Sequence, residues 1–330
     1  MTHIPTLRLA TDIGGTFTDT VIVDKNDNVI ASTKTLTTHE NPAEGAMQGA
    51  KRALEAAKAR IGDVAGFIHG TTLATNALIE KRGARVATIT TQGFRDILEI
   101  AYERRYSQYD INIEKTDLLV TRDRCLTVPE RMSAAGDVIE ALDGQCLPKL
   151  LRQLDSTGAD AVAICLLHSY ANPAHEKQLR DLLHAARPDL VISISAEVSP
   201  EAREFDRLCT TIANAYIQPM MSRYLDAFEA RFVAEGLTCP ILMMTAGGGM
   251  TTLKTAAQFP IRLVESGPAG GAILAAHIAA ESGLDEVLSF DMGGTTAKLC
   301  LIDNAQPQSS RQFEIGRAAR FIKGSGMPVR

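Results

Sequence analysis

The sequence predicts an α/β fold with mostly parallel central strands and one glycine-rich hairpin in each of two domains. Three observations lead there. A short motif is written twice: Asp12-Ile13-Gly14-Gly15-Thr16 closing on Asp24, and Asp291-Met292-Gly293-Gly294-Thr295 closing on Asp303. Each copy lies between apolar runs of β type (7–10 and 21–23, then 287–290 and 299–302), the pattern of a strand, a tight turn and a returning strand. The run 161–167 is continuously apolar, as in a strand covered on both faces. Strand-like runs also alternate with helical stretches along the chain, which is the order of a parallel α/β sheet.

Taken in order, the first hairpin is followed by a third strand at 29–33. Asn41 then serves as N-cap, Pro42 as first helical residue and Glu44 as a first-turn acid of a helix running to about Arg60. A short strand, 67–69, enters Gly70-Thr71-Thr72, and a helix over 73–81 and a strand over 85–90 follow. The stretch 101–144 lacks long apolar periodicity and reads as an inserted segment lining a cleft or a partner surface. After the buried strand at 161–167, Asn172-Pro173 opens a helix, and 190–194 is the next strand. The Glu197–Glu201 region breaks the pattern. The expected division is therefore 1–198, holding the first hairpin and the insertion, and 199–330, opening a second domain with the second hairpin. In that second part, a long helical stretch over 201–235 is expected to be interrupted at Pro219. A strand at 241–245 and a Gly/Ala-dense helix at 266–280 complete the pass.

Composition narrows the function. The chain has 330 residues, 45% of them hydrophobic, with a net charge of −5 and no basic run, which argues against a nucleic-acid partner. No apolar run approaches the ~18 residues of a membrane span, and the N-terminus lacks a signal-peptide pattern. The six cysteines (125, 146, 165, 209, 239 and 300) include no C-x-x-C pair and read as reduced packing residues, so the expected location is cytoplasmic. Walker-type, dinucleotide-binding, nucleophile-elbow and HExxH motifs are all missing.

The chemistry that suits the paired hairpins is phosphate binding. Gly14, Gly15, Gly293 and Gly294 let backbone N–H groups crowd an anion, and Thr16, Thr18, Thr295 and Thr296 add neutral donors. Asp12 and Asp291, at the ends of the incoming strands, suit a hard cation held through water beside phosphate oxygens. Either aspartate can equally cap its own turn. Asp19 and Lys298 share one position in the two copies, so Lys298 either approaches the phosphates or is a solvated strand lysine. Gly70, Thr71 and Thr72 sit at a strand's C-terminal end, where open α/β sheets bind ligands. Gly267 and Gly270 lie at a helix start whose amides suit an anion or whose small residues suit close packing.

Three stretches together resemble the ATP-dependent hydantoinase/5-oxoprolinase family of the actin/sugar-kinase-like ATPase superfamily. They are ATDIGGTFTD from Ala10, HGTTLATNALIE from His69 with GARVATITTQGF from Gly83, and ESGPAGG from Glu265 leading to DMGGTTAK. The resemblance runs from about residue 8 to the end. It implies two ribonuclease-H-like domains clamping ATP, with Asp12 and Asp291 on Mg²⁺ and Glu265 as base or water-positioning group for phosphoryl chemistry. It also implies phosphorylation and ring opening of a small cyclic amide or imide, with a second enzyme subunit as partner. Within the same resemblance stands an acetone-carboxylase-like nucleotide subunit, and a non-catalytic nucleotide-binding module is the alternative outside enzymes. Family chains continue past the second hairpin, so the second domain is expected to be incomplete. On that expectation the chain alone exposes apolar surface, binds ATP weakly and does not turn over substrate.

Overall fold

The computed structural model describes residues 5–103, 105–113, 116, 118–292, 297–319 and 322–330. The chain forms two compact units, one from residues 1–76 and 221–309, the other from 77–220 and 310–330. The division at 198/199 expected from the sequence does not coincide with this partition. The chain leaves the first unit after the first crossover strand, builds the second unit, and returns inside a helix.

The first unit is organised on a six-stranded sheet. Its order is Met250–Thr252, Ile241–Met244, Val64–Thr71, Leu7–Ile13, Phe17–Val23 and Val29–Leu36. Leu7–Ile13 pairs antiparallel with Phe17–Val23 as the hairpin signature requires, and parallel with Val64–Thr71. Ile241–Met244 pairs parallel with Val64–Thr71, so this strand extends the first hairpin's sheet rather than founding a sheet with the second hairpin. The helix Pro42–Ala56 packs on the hairpin strands and starts as its sequence dictates, with Asn41 Oδ1 accepting from the Glu44 N–H at 3.3 Å. The second hairpin, Glu286–Met292 with Ala297–Asp303, forms a separate three-stranded sheet with Gln306–Pro307, against which the helix Ser266–Ser282 packs. Apolar side chains of this sheet and helix stand exposed, among them Leu274, Ile278, Leu288, Phe290, Leu299 and Leu301.

The second unit holds a four-stranded parallel sheet in the order Val191–Ile194, Ala161–Cys165, Val86–Thr91 and Cys125–Val128. Ala161–Cys165 is buried at every residue, as its unbroken apolar run demands. Ile89, Val162, Ile164, Leu150 and Leu179 form its core with flanking helices Leu147–Thr157 and Ala174–Ala186.

Pro219 does not interrupt the long helix, which runs from Glu204 to Ala234 with the proline inside it. An internal proline costs about 3 kcal/mol or more. Ile212, Ala213, Ile217, Met221, Leu225, Phe228 and Phe232 are all essentially buried along this helix, and their packing offsets that cost. The Tyr216 carbonyl, one turn before the proline, accepts the Ala84 N–H at 2.8 Å. All six cysteines are free, and among the described residues no helix is long and apolar enough to cross a membrane.

Candidate functional site

A pocket of about 260 Å³ opens in the first unit at the C-terminal ends of its central strands, and Asp12, Asp19, Gly70, Ser266, Gly267 and Gly270 line it. Each arrives by local rules. Side chains alternate along a strand, so Thr11 and Ile13 are buried while Asp12 between them is accessible. Asp12 and Asp19 are register partners across the hairpin, and Asp19 in turn pairs with Lys34 on the next strand at 2.8 Å.

The electrostatics of this floor are unfavourable for a bare carboxylate. Although Asp12 keeps solvent-accessible surface, crowding by protein raises its pKa above the usual carboxylate range, and Asp19 and then Asp291 push the same way, with Lys34 opposing. Like charges directly opposed on a sheet are destabilising. Gly70 permits the arrangement: a Cβ there would stand 2.7 Å from Asp12 Oδ1. Above the carboxylates, the Ser266–Ser282 helix presents its N-terminus, and the buried Ser266 Oγ has no hydrogen-bond partner among the described residues. An orphaned donor, a helix N-terminus and accessible backbone at Gly267 and Gly270 suit anionic oxygens; the converging aspartates suit a cation between those oxygens and the strand ends. A cation here would take carboxylate, phosphate and water oxygens, the usual surroundings of Mg²⁺.

Other expected residues lie elsewhere or do other work. The Gly14 N–H closes the hairpin on the Phe17 carbonyl at 2.9 Å, and a Cβ on Gly14 would sit 3.0 Å from that oxygen. Gly15 is sterically open, its Cβ position lying 3.6 Å from Asn76. Thr16 gives its carbonyl to the Thr37 N–H. Thr18 does not join Asp12: strand alternation turns it to the buried face, where its hydroxyl meets that of Thr37 at 3.1 Å. The Thr71 and Thr72 hydroxyls are occupied by the turn into the Leu73–Ile79 helix, Thr71 accepting the Leu73 N–H and Thr72 donating to the Ile13 carbonyl. Glu265 and Lys298, read from separate motifs, form an ion pair with each other. Glu265 caps the Ser266–Ser282 helix in a left-handed conformation with φ 68°, and its N–H donates to Thr75 Oγ1 at 3.1 Å. Gly293, Gly294, Thr295 and Thr296 lie outside the described residues.

Two contributors escaped the motifs. Ser266 sits inside the quoted ESGPAGG stretch, and only its orphaned burial marks it. Tyr224 lies in the Glu204–Ala234 helix with no sequence signal, yet its hydroxyl reaches His69 Nε2 at 2.6 Å. His69 Nδ1 is 3.0 Å from the Thr11 carbonyl, which can only accept, so Nδ1 carries the proton and Nε2 accepts from Tyr224. His69 is fully buried and stacked on Phe228 at 4.1 Å, and burial pushes its pKa down to about 4. Burial and then the Asp12 charge hold the Tyr224 phenol well above its ordinary range.

The architecture and paired hairpins define an actin-like ATPase fold. The structure aligns with nucleotide-free acetone carboxylase at a TM-score of 0.84 and 24% identity, covering 98% of this chain and 47% of that one. It aligns with the ATP-dependent caprolactamase of Pseudomonas jessenii at 0.78 and 31%, covering 89% and 43%. The chain belongs to the hydantoinase/oxoprolinase family: residues 8–186 match the hydantoinase/oxoprolinase N-terminal region and 207–329 match hydantoinase/oxoprolinase. By sequence it is 37% identical to an uncharacterised protein of Methanocaldococcus jannaschii, over 98% of this chain and 48% of that protein. It is 31% identical to the caprolactamase alpha subunit of Pseudomonas jessenii, over 94% and 45%. The chain thus spans about half the length of these relatives.

Proposed function

We propose that the first unit holds the phosphates of Mg-ATP, and that the protein acts in an ATP-dependent enzyme opening a small cyclic amide or imide through phosphorylation of its carbonyl oxygen. The observation that carries this reading is the pocket where Asp12, crowded by Asp19 and Asp291, meets the orphaned Ser266 hydroxyl at a helix N-terminus. The relative named ATP-dependent caprolactamase supplies the reaction class.

Mg-ATP, when bound, supplies the transferable phosphoryl group and neutralises charge on its oxygens. Asp12 and Asp291 orient the cation's waters, which relieves their mutual repulsion. Ser266 Oγ and the Gly267 amide donate to phosphate oxygens, Gly270 leaves room for their approach, and Gly70 keeps Asp12 from being displaced by a side chain. Lys298 holds Glu265 at the helix start, from which the carboxylate positions the phosphoryl acceptor or water. A partner subunit fits the exposed apolar side chains of the second hairpin's sheet and its helix.

The test is nucleotide turnover in the assembled enzyme with its partner subunit. Asp12→Ala and Asp291→Ala are expected to lower ATP-dependent lactam opening by about 10²-fold or more with the fold intact. Wild-type phosphate release from both folded variants would exclude the cradle as the nucleotide site.

A further inference from the structure

The turn of the first hairpin holds donors that nothing in the first unit uses. Its carbonyls are occupied: Thr37 Oγ1 donates to the Gly14 carbonyl at 2.9 Å, and the Thr37 N–H donates to the Thr16 carbonyl at 3.0 Å. The Gly14 N–H closes on the Phe17 carbonyl. That leaves the Gly15 and Thr16 N–H groups at the exposed tip, with no partner among the described residues. Successive free amides on a tight turn are the donors that backbone anion sites use.

One side chain stands over this tip. Asn76 belongs to the first unit and lies in the Leu73–Ile79 helix, and its Nδ2 is 3.6 Å from the position a Gly15 Cβ would take. Two hydrogen bonds orient it. Thr72 Oγ1 donates to the Ile13 carbonyl at 3.3 Å, so toward Asn76 it accepts, and Asn76 Nδ2 donates to it at 3.3 Å. The amide therefore turns its nitrogen, not its oxygen, to the hairpin. The second N–H of Nδ2 has no partner among the described residues. The lysines beside the cradle are committed elsewhere, Lys34 to Asp19 and Lys298 to Glu265. Anionic oxygens at the turn thus depend on neutral donors.

We infer that Asn76 is a further phosphate-binding residue, whose second Nδ2 hydrogen converges with the Gly15 and Thr16 N–H groups on phosphate oxygens. Thr72 is its positioning residue: with its own hydrogen given to Ile13, its oxygen holds the carboxamide over the turn. A carboxamide donates without adding charge, whereas a carboxylate of the same shape offers acceptors only and repels the anion. The choice of nucleotide as the source of the phosphate rests on the function proposed above; the free donors do not.

The experiment is a titration of the 330-residue chain with Mg-ATP and, separately, with inorganic phosphate, followed by amide NMR. The two Nδ2 protons of Asn76 resolve as a pair, assigned by its absence from Asn76→Leu. Mg-ATP should shift one proton of that pair together with the Gly15 and Thr16 amides, at a concentration at least about tenfold below that of phosphate. Asn76→Asp should weaken Mg-ATP binding by about tenfold or more. Thr72→Val should weaken it by about threefold or more, and Thr72→Ser, which keeps the hydroxyl, should restore it. Asn76 and Gly15 signals that stay in place while those of Asp12 and Gly267 move would overturn this assignment and leave the cradle standing. Undiminished affinity in folded Asn76→Asp has the same force. Shifts at Asn76, Gly15 and Thr16 with none at Gly267 would uphold this assignment and remove the cradle. No shift at any of these residues overturns both, and equal action by inorganic phosphate overturns the nucleotide as the source.

Discussion

Asp12 stands directly opposite Asp19 across the first hairpin, whereas the corresponding pair in the second hairpin, Asp291 and Lys298, is of opposite charge. The two copies of one motif are therefore electrostatically unequal, and the first carries the repulsion. Because the folded protein raises the Asp12 pKa, ionised Asp12 opposes folding: its penalty is absent at acid pH and sets in as pH rises through the carboxylate range. Asp12→Asn should therefore raise the thermal midpoint at pH 7 while lowering Mg-dependent ATP affinity by about 10²-fold. Calorimetry on the same samples reads both.

Gly70→Ala tests the floor from the other strand. A Cβ 2.7 Å from Asp12 Oδ1 forces the carboxylate to move. Nucleotide affinity should fall by about tenfold or more, against only a small shift in the unfolding midpoint. Gly66→Ala, on the same strand but away from the pocket with its Cβ position 3.8 Å from Arg8 Cγ, is the internal control and should do neither.

His69 makes a pH prediction. Its pKa falls from 6.5 to about 4 on folding, so the unfolded chain binds the proton more readily. Stability should drop as pH falls from about 6.5 toward 4, by as much as about 3 kcal/mol from this group. His69→Gln should flatten the acid limb of urea-unfolding free energy against pH. An unchanged limb would mean that carboxylates alone set it.

Glu265 and Lys298 should be coupled. Both are about one-third exposed, so solvent screening keeps the pair modest. A double-mutant cycle with Glu265→Gln and Lys298→Met should return a stability coupling of about 0.5 kcal/mol. Additive effects would separate the two residues.

How much of this was legible in the sequence depends on the kind of information. The Asp-Gly-Gly-Thr repeat, the Asn41-Pro42 helix start and the buried 161–165 strand are local patterns, and each produced its element. Period-two alternation, applied from Asp12 and Asp19, assigns Thr18 to the buried face, where its hydroxyl meets that of Thr37. Pro219 was read by local propensity, and burial along both sides of the helix overrode it. That Ile241–Met244 joins the first hairpin's sheet is a long-range pairing, as is the Tyr224–His69 contact. No local pattern encodes either.

The most direct measurement of the central claim uses Mn²⁺ in place of Mg²⁺ as a paramagnetic reporter with ATP, because relaxation detects even weak occupancy. Mn-ATP added to the isotopically labelled chain should broaden the backbone amide signals of Asp12, Gly70, Gly267 and Gly270, and Asp12→Asn should abolish that broadening. Signals at these four residues that stay sharp, or broadening that survives Asp12→Asn unchanged, would contradict the assignment of this pocket to nucleotide phosphate.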